Sequence, residues 1–156
     1  MRLSILWVGK TKDRRMAGLL DDYAERVRRY CRLEIVEVRD VARGGAGGKA
    51  KRMEEEGRKI LKTLRPGELR IALDEGGKEM TSTGFAEFLR RALEGSPEGV
   101  KFIIGGPYGL SEEVKSAAGH RCSLSKMTLT HEMARLVALD QIYRAFTILR
   151  GEGYHH

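Results

Sequence analysis

Five short apolar runs, each followed by a segment of helical spacing, constrain this chain more than any other feature of its sequence. Leu3 to Val8 is continuous enough for a strand buried on both faces, whereas Leu33 to Val38 alternates with its glutamates turned outward. Leu69 to Leu73, Val100 to Ile104 and Cys122 to Leu124 supply the other three runs. Met16, Leu19, Leu20, Tyr23, Val27 and Tyr30 recur at helical spacing behind the first run. Charged residues from Ala50 to Leu64 form a second helix, stopped by Pro66-Gly67. Thr83 to Leu93, Ser111 to Ala118 and Met133 to Leu149 complete the set. The order βαβαβαβαβα predicts an α/β fold: a mostly parallel sheet with helices on both faces and sites at the carboxyl ends of its strands. A chain of 156 residues makes this one domain spanning 1–156.

Several classes are excluded early. The opening apolar run is shorter than a signal core, and no stretch approaches the ~20 apolar residues that span a bilayer, so the expectation is a cytoplasmic protein without membrane contact. Cys31 and Cys122 lack CxxC spacing, which predicts reduced core thiols. His120, His131, His155 and His156 have neither HExxH spacing nor cysteine partners, and no metal is expected. Charge is divided unevenly: residues 1–65 hold 18 Lys/Arg against 10 Asp/Glu, and residues 66–156 hold 11 against 12. A basic half beside a near-neutral half fits a polyanion-gripping surface next to a small-molecule pocket, although a merely solvated basic surface has the same arithmetic.

The glycine stretch from Arg43 to Lys49 invites two nucleotide-binding readings. A phosphate-binding Walker loop requires Gly at position 43 and Ser or Thr at position 50, where the chain has Arg43 and Ala50. Gly45 to Ala50 satisfies GxGxxA but starts well beyond the second strand, too far for the tight strand-to-helix turn that the motif serves. The stretch reads instead as a mobile basic loop.

Three strand ends form a candidate pocket: Leu73 to Lys78, Ile104 to Leu110 and Leu124 to Leu129. Gly105, Gly106 and Gly109 let backbone groups approach a ligand, and the helix opened by Ser111 adds a partial positive end. Leu73, Met127 and Leu129 can enclose a flat base whose edge is read by the main chain. Thr130 is placed to cap the last helix, in which Ala134, Ala138 and Ala145 make a small-residue stripe. That helix is apolar nearly all round, so it needs cover beyond its own sheet, from a second subunit or from a domain that buries it wholly. It ends in Gly151 and a tail carrying Tyr154 and His155, groups that stack and exchange protons.

The stretch Tyr143-Arg144-Ala145-Phe146, followed by Arg150-Gly151-Glu152 and Tyr154-His155, resembles the C-terminus of the SPOUT-class RNA methyltransferases. The match is to their small RlmH (YbeA) branch, which methylates a pseudouridine of large-subunit ribosomal RNA. The resemblance spans the chain and is strongest over residues 71–156. It implies a C-terminal trefoil knot, a homodimer, and S-adenosylmethionine held by Leu73, Gly105, Ser125, Lys126, Met127, Thr128, Leu129 and Thr130. It also implies 23S rRNA or the ribosome as partner, with methylation at N3 of the pseudouridine. On this reading His155, or a water it holds, takes the imide proton, Arg144 steadies negative charge or a phosphate, and Tyr154 stacks on or positions the base. Arg144 also fits a salt bridge to Asp140 one turn earlier. Tyr108 departs from the acidic or polar residue common in that family, and Thr130 from its usual proline. Two other classes fit parts of the chain: a non-catalytic ribosome-binding protein using the basic half, and a nucleotide-dependent oxidoreductase using the Gly45 motif.

Overall fold

The computed structural model describes residues 1–41 and 47–156. The expected mobile loop thus lies outside the described residues from Arg43 to Ala46, and with it the start of the GxGxxA motif. Ten elements follow in strict alternation: β1 (Arg2–Val8), α1 (Arg14–Arg28), β2 (Arg32–Val38), α2 (Gly48–Leu61), β3 (Leu69–Glu79), α3 (Ser82–Gly95), β4 (Val100–Ile104), α4 (Glu112–Ala117), β5 (His120–Ser123) and α5 (His131–Leu149). The strands form one sheet in the order β2-β1-β4-β3-β5, with every pairing parallel. Among the described residues no helix is long and apolar enough to cross a membrane.

Polar side chains close the ends of most helices. Asp13 accepts from the Arg15 and Met16 amides at the start of α1, Thr81 from Gly84 at α3, Ser111 from Val114 at α4, and Thr130 from Met133 at α5. Each such cap contributes about 1 kcal/mol. Helix α2 lacks a side-chain cap and turns out of Gly47 at φ +116°, which brings its start two residues earlier than the periodicity predicts.

Strand β1 lies inside the sheet and is buried on both faces. Its Leu3, Ile5 and Trp7 meet Phe102, Ile104, Leu139 and Phe146 in the larger core, where α1, α3 and α5 pack together. Leu6 and Val8 point the other way, to Ile60, Ile103 and Val114 under α2 and α4. Helices therefore cover both faces. At the amino ends of the strands, the buried Lys101 ammonium sits 3.1 Å from Glu68 and donates to the Thr63 carbonyl at 3.0 Å, so the charge is compensated. Cys31 and Cys122 are buried free thiols, and burial pushes both up to about 11, which keeps them protonated.

Two expectations change. Strand β3 does not stop at Leu73 but continues to Glu79 across a bulge, Leu73 and Lys78 both pairing with Cys122 while the residues between leave the ladder. The small-residue stripe of α5 faces inward: Ala138 and Ala145 are 2% and 1% exposed and belong to this chain's own core. Helices α1 and α3 supply most of the cover that α5 needs, leaving Met133 and Leu149 as its exposed large apolar side chains.

Candidate active site

The carboxyl ends of β3, β4 and β5 surround a cavity of about 730 Å³. Leu73, Gly105, Ser125, Met127, Thr128, Leu129 and Thr130 all line it, as the sequence reading expects. Lys126 does not: its ammonium turns out to the Glu79 carboxylate at 3.4 Å, and the side chain is 78% exposed. A loop read as one block has sides, and this residue is on the outer one.

Main-chain geometry builds the walls. The Gly109 amide donates to the Gly106 carbonyl at 2.9 Å and closes a tight turn, with Gly109 at φ +83°. A β-carbon on Gly105 would lie 2.5 Å from the Gly109 carbonyl carbon, so the loop's own backbone already requires glycine there. Opposite, the Ser125 hydroxyl accepts from the Met127 amide at 2.9 Å, and the Ser125 carbonyl accepts from the Ser123 hydroxyl at 3.0 Å. These local bonds hold the 125–130 segment in shape as it enters α5.

Several lining residues were missing from the sequence reading: Lys49 and Met53 from α2, Lys115 from α4, and His131 and Ala134 from α5. Asp74 begins the β3 bulge, between Arg121 and Lys115. Burial alone would raise its carboxyl, but the Arg121 hydrogen bond and the Lys115 charge outweigh burial and hold it below the usual carboxylate range. At His131, burial first and the Arg135 guanidinium second push the imidazole below its ordinary value. Arg135 is fully buried and donates to the Val8 carbonyl at 2.7 Å and the Thr11 hydroxyl at 2.8 Å, fastening the β1–α1 connection to α5.

The three residues expected to act on the substrate are brought together, but elsewhere. Arg144 Nη1 lies 3.4 Å from His155 Nδ1, and its guanidinium sits 4.6 Å from the centre of the Tyr154 ring. The Tyr154 hydroxyl donates to Asp140 at 2.7 Å and shares a 3.2 Å hydrogen bond with the Tyr23 hydroxyl. Burial and these two hydrogen bonds raise the phenol well above its usual range, so it stays protonated. Arg144 Nε stands 3.7 Å from Asp140, so the expected helix ion pair and the tail contacts coexist. The tail is packed against α1 and the turn that follows it, where the Tyr30 hydroxyl donates to Glu152 at 2.6 Å.

None of Arg144, Tyr154 and His155 lines the cavity. Thr130 and His131, at the start of α5, do, and Arg144 follows fourteen residues after Thr130. At the rise of an α-helix that is about 20 Å of separation within one chain.

Comparison with known proteins agrees with this geometry. Residues 1–155 match the family described as predicted SPOUT methyltransferase. A relative from Geotalea daltonii, named ribosomal RNA large subunit methyltransferase H, is 43% identical over 156 residues and all of both chains. One of the same name from Geobacter sp. strain M21 is 44% identical, covering 100% of this chain and 99% of its own. Among solved structures, a probable methyltransferase from Bordetella pertussis Tohama I shares the fold at TM-score 0.58 and 16% identity, over 92% of this chain and 95% of that one. A five-stranded parallel sheet, a backbone-walled cavity at its carboxyl edge and a full-length family match lead to one conclusion: this chain belongs to the SPOUT methyltransferase family.

Proposed function

We propose that this chain transfers the methyl group of S-adenosylmethionine to N3 of a pseudouridine in 23S rRNA, on the ribosome in the cytoplasm, as a homodimer. Full-length relatives named as large-subunit rRNA methyltransferases support the substrate class. The cavity suits the donor: Leu73, Ile104 and Leu129 offer apolar walls for a base, the 105–109 and 125–130 loops bring main chain to its edge, and Glu75 suits hydroxyls. The trefoil knot of the C-terminal part belongs to this reading, and most residues of the 124–130 segment in that part line the cavity.

The bound sulfonium supplies its own leaving group, so the reaction as proposed needs no metal. The protein's task is to align donor and nitrogen in line and to help a weakly acidic imide lose its proton. His155 takes that proton directly or through water. Arg144, beside it, steadies the resulting negative charge. Asp140 keeps the Tyr154 phenol fixed and protonated, leaving its ring to position the base.

One observation carries the dimer: a tail cluster about 20 Å along α5 from its own cavity serves chemistry only at the cavity of a second copy. Mixing two inactive variants tests this. A dimer of Gly105→Val, which lacks a cavity, with His155→Ala, which lacks the base, regains one complete site if cavity and tail come from different protomers. Single-turnover methylation of ribosomes by the mixture, above either variant alone, is the expected result. A mixture as inactive as its parents contradicts a shared site.

A further inference from the structure

Tyr108 occupies the tip of the Gly106–Gly109 turn, at the rim of the cavity, with 39% of its surface exposed. The turn fixes its backbone, and with it the direction in which the side chain leaves the loop. The first turns of α2 bring two cations to it: Lys49 Nζ lies 5.5 Å and the Arg52 guanidinium 5.1 Å from the ring centre. Arg52 also donates to the Val41 carbonyl at 3.2 Å, which holds its head in place. Neither cation forms a salt bridge among the described residues, and Glu56 on the next turn is buried at 2% exposure.

A large aromatic face held out on a rigid turn, beside two cations that form no salt bridge among the described residues, has the chemistry of a contact to an unpaired nucleotide. The base stacks on the ring and the phosphate takes the cations. Cation–π contacts at exposed sites are weak, so an arriving base competes well with them. Two positive charges at the rim also suit a polyanion better than a sulfonium. We propose that Tyr108 is a stacking platform for an unpaired base of the RNA substrate, adjacent to the methylated one, with Lys49 and Arg52 holding its phosphate. This inference rests on the RNA-methyltransferase reading above.

Two variants test it. Tyr108→Ala should raise KM for ribosomes about tenfold, the scale of losing one stacked base, with kcat and S-adenosylmethionine affinity by calorimetry unchanged; Tyr108→Trp should restore KM. The native tryptophan, Trp7, is buried at 4% exposure, so Tyr108→Trp also adds an exposed fluorophore that a stacked base quenches. Titration with a uridine-containing RNA oligonucleotide should quench it, whether or not turnover occurs. Loss of donor affinity with KM for ribosomes unchanged would make Tyr108 a wall of the donor site and overturn the proposal. Unchanged KM together with unquenched fluorescence overturns it too. If the wild type itself fails to methylate ribosomes, the enzymatic reading is what fails, and quenching alone decides the platform.

Discussion

The cavity and the tail cluster recognise chemistry in opposite ways. The cavity is walled by glycines, small loops and main-chain groups, and its shape is set by backbone crossing backbone at Gly105 and Gly109. The cluster is made of side chains: Arg144, Tyr154 and His155, tied to Asp140 and Tyr23 by hydrogen bonds. A site of the first kind tolerates exchange of most of its side chains and fails on one added β-carbon. A site of the second kind fails one functional group at a time.

The largest effect should come from that added β-carbon. Gly105→Val forces the Gly109 carbonyl aside and should take S-adenosylmethionine binding below calorimetric detection, with helical content retained by circular dichroism. A variant that binds normally breaks the account of a backbone-built cavity. Next, Tyr154→Ala and His155→Ala should each keep donor affinity and lose methyl transfer, by about 10²-fold for His155 if it assists proton removal. Equal loss of donor affinity in these variants would erase the distinction between the two regions.

A smaller effect is expected from acid. His131 is neutral at pH 7 because burial, then Arg135, lowers its pKa, with Lys12 adding to and Glu132 and Asp40 opposing that charge. The unfolded chain, with histidine near ~6.5, takes up the proton first. Stability should therefore be complete above that value and decline as pH falls below it. His131→Gln should flatten the decline; an unchanged acid limb assigns it to another group. The smallest effect is Lys126→Ala, whose exposed pair with Glu79 contributes at most ~1 kcal/mol and whose side chain points away from the cavity. Donor affinity in that variant should match wild type.

Much of this was legible in the residues. Alternation of apolar runs placed all ten elements, and Thr130 could be read as a cap because a hydroxyl directly preceding an apolar helix has few other uses. Other parts were not legible, for physical reasons. Glu75-Gly76-Gly77 has the composition of a turn, so nothing local showed that β3 resumes at Lys78 once Cys122 is there to pair with it. Lys49 and Met53 reach the cavity only because α2 packs beside the 105–110 loop, a tertiary fact without periodicity. The alanine stripe of α5 indicates close approach but not by whom; the neighbours proved to be helices of the same chain. Family resemblance could supply a contiguous block such as 125–130, yet which side chains within it face inward is settled by hydrogen bonds at Ser125.

The place of α5 in the core also bears on how the chain comes into being. Leu139, Ile142 and Phe146 complete the apolar cluster shared with α1 and α3, and they are translated after both of those helices. Until they emerge, those two helices lack the α5 side of their shared core, and a nascent chain carries open, adhesive surface until α5 is made. The cavity waits likewise, since its final wall and the first turn of α5 are made together. A protein proposed to modify ribosomes thus cannot close its own interior until α5 has emerged from one.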